Sequence, residues 1–270
     1  MIGLVLGETQ LGNLIIKKLK LLKKKFVIID ISKKKIFKKN KNFFPLSIGQ
    51  LGKAISILKK HGCKKIIFAG KITTPNFSKT KFDFKAIYYL PKIIKGAKKD
   101  DASIIKTVIE IFKKEGFKII SSTFFNPELL LKRGNYTKMK PDFLSKKDML
   151  KGKSIITDLS RRGIGQGVVI RNSHVVTIED SDGTDAMLKR ASILFKRFSY
   201  RNKRQGILLK FPKRNQDLRV DLPTVGIKTI KKCIKIGLKG IVVKANQNIF
   251  LDRSKCINLA NKNRMFICAI

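Results

Sequence analysis

Hydrophobic positions in the first half of the chain alternate between short unbroken runs and stripes at helical spacing. Residues 2–6 and 26–31 are unbroken apolar runs of the kind that form strands buried on both faces of a sheet. Between them, apolar side chains recur at helical spacing over residues 14–22, which predicts a helix. The alternation continues with predicted strands at 65–69 and 117–120 and predicted helices at 51–58, 87–97 and 102–112. This order predicts a parallel, Rossmann-like sheet covered by helices.

The second half of the chain has an α/β pattern of its own. Its predicted strands are 168–171, 175–178, 207–209, 241–243, 249–251 and 266–270, and its predicted helices begin after residues 184, 223 and 253. Between the halves the apolar periodicity fades and Pro and Gly recur, so residues 131–153 are predicted to be a linker. The sequence therefore predicts two α/β domains, an N-terminal one at 1–130 and a C-terminal one at 154–270.

The charge of the chain is strongly positive and evenly spread. Sixty-one Lys and Arg residues against 18 Asp and Glu give a formal net charge of +43. Aromatic residues are not interleaved with these cations, as stacking platforms for bases would require. We therefore predict no specific nucleic-acid partner, and we expect attraction to acidic lipid head groups or to an anionic substrate. The alternative is a basic nucleic-acid-binding protein, which would show salt-dependent binding to DNA.

The cysteines and the N-terminal residues indicate a cytoplasmic protein. The cysteines are scattered along the chain at Cys63, Cys233, Cys256 and Cys268. None has C-x-x-C spacing and the chain has only two histidines, so no zinc or disulfide framework is predicted. No apolar run approaches the roughly 20 residues needed to cross a bilayer. The first residues also lack the basic start and the cleavage site of a signal peptide.

The acidic residues stand out against this basic background in one short stretch. Four of the 18 acids fall within seven positions, at Glu179, Asp180, Asp182 and Asp185. An apolar stripe at helical spacing follows them, so the stretch is typical of a loop that feeds a helix N-terminus, with Asp182 or Thr184 as the cap. Helix N-termini bind phosphate, and neighbouring carboxylates bind Mg²⁺. A capped helix with a solvated acidic loop is the alternative, and the stretch alone favours it.

Asp221 is a second candidate for phosphate chemistry. It precedes a predicted helix start at Pro223, and four basic residues lie near it in the sequence, Lys210, Lys213, Arg214 and Arg219. A carboxylate beside an arginine stays ionised at neutral pH, so it could bind a metal ion or accept a proton from water. The alternative for Asp221 is an ordinary helix cap in an ion pair.

Two glycine turns in the first half are candidates for binding a ligand. Residues 7–12, from Gly7 to Gly12, and the pair Gly70-Lys71 each follow a predicted strand, so both should lie at the carboxyl edge of the sheet, where α/β proteins bind ligands. Asp30 ends the second strand, where an oxidoreductase would place its ribose-binding acid. A nucleotide-binding oxidoreductase is therefore another alternative, although two glycines do not complete its fingerprint.

A set of motifs spread over nearly the whole chain resembles one known family. The motifs are Phe68-Ala69-Gly70-Lys71, Leu90-Pro91, Asp100-Asp101-Ala102, Gly165-Gln166-Gly167, Glu179 followed by Gly183-Thr184-Asp185-Ala186-Met187-Leu188, and Arg219-Val220-Asp221-Leu222-Pro223-Thr224. They resemble the LpxI type of UDP-2,3-diacylglucosamine pyrophosphatase, an enzyme of lipid A synthesis, in both order and spacing. The first loop departs from the family pattern because it carries fewer glycines.

The resemblance implies a function and a set of site residues. It implies that the substrate lies between two α/β domains and that Mg²⁺-dependent hydrolysis gives UMP and 2,3-diacylglucosamine 1-phosphate, with water attacking the sugar-side phosphorus. Asp221 and Asp185 are the predicted catalytic and metal-binding residues. The predicted substrate-binding residues are Gly7, Gln10, Leu11, Gly12, Gly70, Lys71, Asp100, Asp101, Gln166, Gly183, Thr184, Lys210, Arg219 and Thr224. The predicted protein is cytoplasmic and peripheral on the inner face of the membrane, with a lipid-linked UDP-sugar as substrate.

Overall fold

The fold consists of two compact units, each with its own sheet. A computed structural model describes residues 1–71, 78–98, 101–197, 204–214 and 216–270. The first unit comprises Met1–Pro127 together with Asp217–Asp221, and the second comprises Glu128–Gln216 and Leu222–Ile270. The short segment 217–221 was not expected in the first unit, because the sequence predicts a single crossing between the halves.

The first unit is a parallel five-stranded sheet with helices. Its elements are β1 (Ile2–Leu6), α1 (Gln10–Leu21), β2 (Phe26–Asp30), β3 (Phe43–Pro45), α2 (Leu51–Lys60), β4 (Lys65–Ala69), α3 (Phe84–Ala97), α4 (Asp101–Lys114) and β5 (Lys118–Ile119). The strand order is β3-β2-β1-β4-β5, and every pair is parallel. This confirms the predicted α/β fold. The order reverses between β1 and β4, which is where such sheets form a ligand crevice.

The second unit is also α/β, with a mixed six-stranded sheet. After a 3₁₀ turn at the boundary (Pro127–Leu129), its elements are β6 (Gly134–Asn135), α5 (Phe143–Arg161), β7 (Gly167–Arg171), β8 (His174–Ile178), α6 (Thr184–Arg197), β9 (Ile207–Lys210), β10 (Thr224–Val225), α7 (Ile227–Ile236), β11 (Gly240–Val243), β12 (Ile249–Phe250), α8 (Arg253–Lys262) and β13 (Phe266–Ala269). The strand order is β6-β13-β11-β9-β7-β8, in which β9, β11 and β13 run parallel. The strands β7 and β9 are antiparallel.

Buried apolar side chains account for the packing of both sheets. In the first unit Leu4, Ile28 and Ile67 on the three central strands are fully buried, as unbroken apolar runs require. In the second unit Leu208 and Val242 are fully buried on adjacent parallel strands. Each unit therefore has a hydrophobic core of its own.

Two local expectations differ from the structure. Residues 131–153 do not form a linker, since Phe143 begins the long helix α5 and Asp142 caps it by accepting a hydrogen bond from the Ser145 amide at 3.0 Å. The helix after Asp221 begins at Ile227 rather than at Pro223. The residues before it, Thr224–Val225, pair as a strand with Ile249–Phe250, and strand pairing is incompatible with a helical turn.

None of the helices described in the structure combines the length and apolarity that crossing a membrane requires.

Candidate functional site

Several predicted site residues meet at one edge of the second unit's sheet. Strand β9 ends at Lys210, and the antiparallel strand β7 begins at Gly167, which is the register partner of Lys210. Strand β8 ends at Ile178, the partner of Val168, so Glu179 leaves the sheet at the same edge. The end of β9, the start of β7 and the end of β8 therefore bring polar residues to one edge. This edge is the carboxyl end of β9, and parallel strands present ligand sites at their carboxyl ends.

A buried polar chain links three of these residues. Glu179 is only 5% exposed, and its carboxylate accepts a hydrogen bond at 2.8 Å from the hydroxyl of Thr184. The ammonium of Lys210, which is also buried, donates to the oxygen of that same hydroxyl. Buried charges of opposite sign joined through a hydroxyl hold each other in fixed positions. The sequence predicts Thr184 and Lys210 as site residues, whereas the role of Glu179 in holding them is visible only in the structure.

Glycines at two positions allow this carboxylate to pack closely. A Cβ atom at Gly165 would lie 1.9 Å from the backbone oxygen of Glu179, and one at Gly167 would lie 2.6 Å from its Oε2 atom. The Glu179 amide also donates to the Gly167 carbonyl at 2.8 Å. The Gly165-Gln166-Gly167 motif is thus a steric requirement of the Glu179 loop. Gln166 between them is half-buried and accepts at 3.3 Å from the Gln216 side-chain amide.

Helix α6 starts beside this polar chain. Gly183 precedes the helix with φ +83°, a left-handed conformation that favours glycine, and Thr184 is the first helical residue. The first-turn N–H groups have no carbonyl partner inside the helix, so they add donors next to Lys210. Asp185, the next residue, has a side chain 70% exposed, and its carboxylate pairs with Lys232 of α7 at 2.7 Å.

Asn248 connects the Lys210 strand to the segment that follows Asp221. The side chain of Asn248 is fully buried and donates to the Lys210 carbonyl at 3.0 Å. The next residue, Ile249, donates its amide to the Pro223 carbonyl at 2.9 Å. Thr224 follows at the start of β10 and is exposed. No sequence signal indicates Asn248, because a lone asparagine in a turn is commonplace.

Asp221 and Arg219 lie in the first unit's segment 217–221. The guanidinium and the backbone amide of Arg219 both donate hydrogen bonds to the Asp217 carboxylate. The guanidinium Nε atom lies at 2.9 Å and the backbone nitrogen at 3.0 Å. These hydrogen bonds hold the pKa of Asp217 below its usual value, and Asp217 in turn raises the pKa of Arg219. The Asp221 amide donates to the Asp217 carbonyl, which closes a turn. Asp217 was not predicted as a site residue, and Asp221 and Asp185 belong to different units.

The glycine turns of the first unit meet at the carboxyl edge of its sheet, as their positions after strands predict. A Cβ atom at Gly7 would lie 2.4 Å from the Lys71 carbonyl oxygen, and Gly70 adopts φ +97° with the Gly7 backbone beside it. Gln10 begins α1 and is exposed, whereas Leu11 is buried in that helix. The two turns and the start of α1 therefore form one surface at the β1–β4 crevice.

The remaining candidate residues of the first unit are Gly12, Asp100, Asp101 and Asp30. Gly12 is buried against Phe37, whose ring would lie 2.7 Å from an added Cβ, so Gly12 is a packing position. Asp101 begins α4, while Asp100 lies outside the described residues. Asp30 is fully buried and accepts hydrogen bonds from the Ser32 amide at 2.8 Å and the Phe37 amide at 3.3 Å. Its carboxylate is thus used by the protein backbone, which disfavours the oxidoreductase alternative.

The described acidic side chains suit a metal ion that is held by one or two carboxylates and otherwise by water and substrate phosphate. In the described part of the chain, no group of three or more His, Cys, Asp and Glu side chains could hold a metal ion. Mg²⁺ usually takes only one or two carboxylates and fills the rest of its shell with water and substrate phosphate. Single carboxylates such as Asp221 suit that mode, whereas a closed protein cage is not present among these residues.

Comparison with known proteins identifies the family. A family model described as the LpxI N-terminal domain matches residues 1–129, and one described as the LpxI C-terminal domain matches residues 132–268. A protein of Caulobacter vibrioides named UDP-2,3-diacylglucosamine pyrophosphatase LpxI is 35% identical over 226 residues, which cover 83% of this chain and 81% of that protein. Together these matches extend over both units, and the chain therefore belongs to the LpxI family.

Proposed function

We propose that this protein hydrolyses the diphosphate of UDP-2,3-diacylglucosamine to UMP and 2,3-diacylglucosamine 1-phosphate in lipid A biosynthesis. The name of the Caulobacter relative supports this substrate. The observation that carries the proposal is the Lys210–Thr184–Glu179 chain at the first turn of α6. A held ammonium beside the N–H groups of a helix start is suited to binding phosphate oxygens.

Each group of site residues has a proposed task. The residues proposed to bind the diphosphate are Lys210, Thr184, the Gly183 backbone and Arg219. The residues proposed to contact the nucleotide or its sugar are Gly7, Gln10, Gly70 and Lys71, next to which Leu11 and Gly12 are buried in α1. The residues proposed to contact the substrate without a more specific task are Asp100, Asp101, Gln166 and Thr224. Glu179 holds Thr184 and Lys210 in place without itself contacting the substrate.

Asp221 is the proposed catalytic carboxylate. It would position the water that attacks the sugar-side phosphorus and would provide a carboxylate oxygen for Mg²⁺, with Asp185 as the second proposed ligand. Asp185 would have to exchange its ion pair with Lys232 for this role. Mg²⁺, when bound, would lower the pKa of the attacking water and neutralise the charge that develops on the leaving UMP.

The proposed working place is the cytoplasmic face of the inner membrane. The substrate has two acyl chains that remain in a bilayer, and the net charge of +43 favours approach to anionic head groups.

Incubation of the purified protein with UDP-2,3-diacylglucosamine and Mg²⁺ tests the reaction. We expect UMP to form in the presence of Mg²⁺ and its formation to stop when a chelator is added. In water enriched with oxygen-18, the label should enter 2,3-diacylglucosamine 1-phosphate, because attack occurs on the sugar-side phosphorus. Label in UMP would refute the site of attack, and absence of both products would refute the function.

A further inference from the structure

Helix α3 presents an apolar stripe to solvent, which is unusual for a helix at the protein surface. Phe84, Ile87 and Tyr88 are 94%, 53% and 76% exposed, and their spacing places them on one face. The opposite face contributes Tyr89 and Ile93, which pack against the core of the first unit. The N-terminal half of the helix is therefore apolar on both faces, although only one of them is covered.

Lysines are frequent in the segment that carries this stripe. The described segment 78–98 contains six lysines, at Lys79, Lys81, Lys85, Lys92, Lys95 and Lys98, and a single acid, Asp83. Asp83 is used as the helix cap, where it accepts hydrogen bonds from Ala86 at 2.8 Å and from Gly52 at 3.1 Å. Lys92, Lys95 and Lys98 continue the face of Tyr88 at helical spacing. Of the helix lysines, Lys92 pairs with Glu110 of α4 at 3.0 Å and Lys85 pairs with Glu115 at 2.5 Å. The face is thus apolar and aromatic at the start of α3 and basic toward its end.

We propose that this face of α3 docks the protein on an anionic lipid bilayer. Phenylalanine and tyrosine side chains insert at the level of the head groups, and neighbouring lysines bind acidic lipids while their methylene stems lie along the apolar surface. This inference rests on the proposed function, since a diacylated substrate must be reached in a membrane. A second copy of the chain is the other occupant that the stripe could accept, and the experiment separates the two.

Other exposed apolar side chains fit membrane docking less well. On α5, Phe143 and Leu150 are 69% and 72% exposed, but the Lys147 ammonium covers the Phe143 ring at 4.6 Å from its centroid. At the end of α1, Leu21 and Leu22 are exposed without an aromatic residue beside them in the sequence. These positions therefore provide matched controls.

The test is sedimentation with vesicles of two compositions, phosphatidylglycerol mixed with phosphatidylethanolamine and pure phosphatidylcholine. We expect the wild-type protein to bind the anionic vesicles more strongly. The double variant Phe84→Ser/Tyr88→Ser should bind them at least tenfold more weakly, while the α5 control Phe143→Ser/Leu150→Ser should bind as the wild type does. Because all four side chains are exposed, thermal melts of both variants should match the wild type.

Turnover of substrate dispersed in detergent micelles separates docking from catalysis. Both variants should release UMP at the wild-type rate there, because neither pair belongs to the proposed active site. Failure of the wild type to release UMP would overturn the proposed function and leave the vesicle result to be judged by itself. Equal vesicle binding by the α3 variant and the wild type would overturn the docking proposal. So would wild-type binding without preference for anionic vesicles, or a change from dimer to monomer in the α3 variant with vesicle binding unaltered.

Discussion

Replacement of Glu179 by glutamine should weaken catalysis, and it should also lower the stability of the fold because the buried Lys210 ammonium loses the carboxylate at the other end of the chain. Glutamine keeps the shape of the buried side chain and removes its charge. The Thr184 hydroxyl now donates to a carboxylate at 2.8 Å, and a hydrogen bond to a charged group contributes about 1.5–3 kcal/mol against about 0.5–1.5 for a neutral one. The difference is about 1–2 kcal/mol. An amide can also turn its NH₂ toward Thr184 and compete with Lys210 for the hydroxyl oxygen.

If the whole difference is lost from transition-state binding, Glu179→Gln should lower kcat/KM by about five- to thirty-fold. The assay is UMP release with saturating Mg²⁺, together with urea unfolding of the same preparations. Asp180→Asn is the matched control, because that carboxylate is partly exposed and pairs with Arg190 at 2.7 Å, so its loss should change kcat/KM by less than about twofold.

A double-mutant cycle with Thr184→Val tests the chain itself. Glu179→Gln and Thr184→Val should be non-additive in kcat/KM, because each breaks the same connection to Lys210. Wild-type activity in Glu179→Gln, or additive losses in the double variant, would refute the positioning role.

Three further predictions concern other parts of the protein. Asp221→Ala should abolish UMP release and leave the thermal melt unchanged; near wild-type turnover would remove Asp221 from the catalytic assignment. The Arg219 guanidinium lowers the pKa of Asp217 on folding. This hydrogen-bonded pair therefore stabilises the fold above the pKa that Asp217 has in the unfolded chain, and the stabilisation is lost as the pH falls through the pKa that Asp217 has in the folded protein. Asp217→Asn should therefore lose less stability than the wild type between about pH 5 and pH 2, as measured by urea unfolding, and identical acid profiles would contradict this. Gly165→Ala should cost about 3 kcal/mol of unfolding free energy because its Cβ would strike a backbone carbonyl, whereas Gly226→Ala should be tolerated since its nearest neighbour is 3.4 Å away; equal unfolding free energies would refute the steric reading.

The strands and the edges at which they end could be predicted from the sequence, because buried parallel strands require unbroken apolar runs. Gly7 and Gly70 were expected at one sheet edge, and they meet there. The start of α5 at Phe143 was missed because lysines interrupt its apolar stripe. The strand at Thr224–Val225 was missed because Pro223 suggested a helix start, while pairing with a distant strand decided otherwise.

Contacts between distant residues account for what the sequence could not show at the candidate site. Glu179 and Thr184 are near each other in the chain, but Lys210 and Asn248 reach them only through the order of the strands. Composition does not indicate which carboxylate of an acidic loop turns inward. The structure shows that Glu179 is buried, whereas Asp185 remains exposed.

Segment 217–221 has a consequence for how the protein is made. Within the first unit, Val220 packs against the hydrophobic core, and the Ser122 amide donates to the Arg219 carbonyl at 2.7 Å. A ribosome that has finished Pro127 has not yet supplied these residues. Domains usually fold in the order of their synthesis, but this one cannot complete its core until much of the second unit has been translated. A fragment that stops at residue 127 would therefore lack part of its own core.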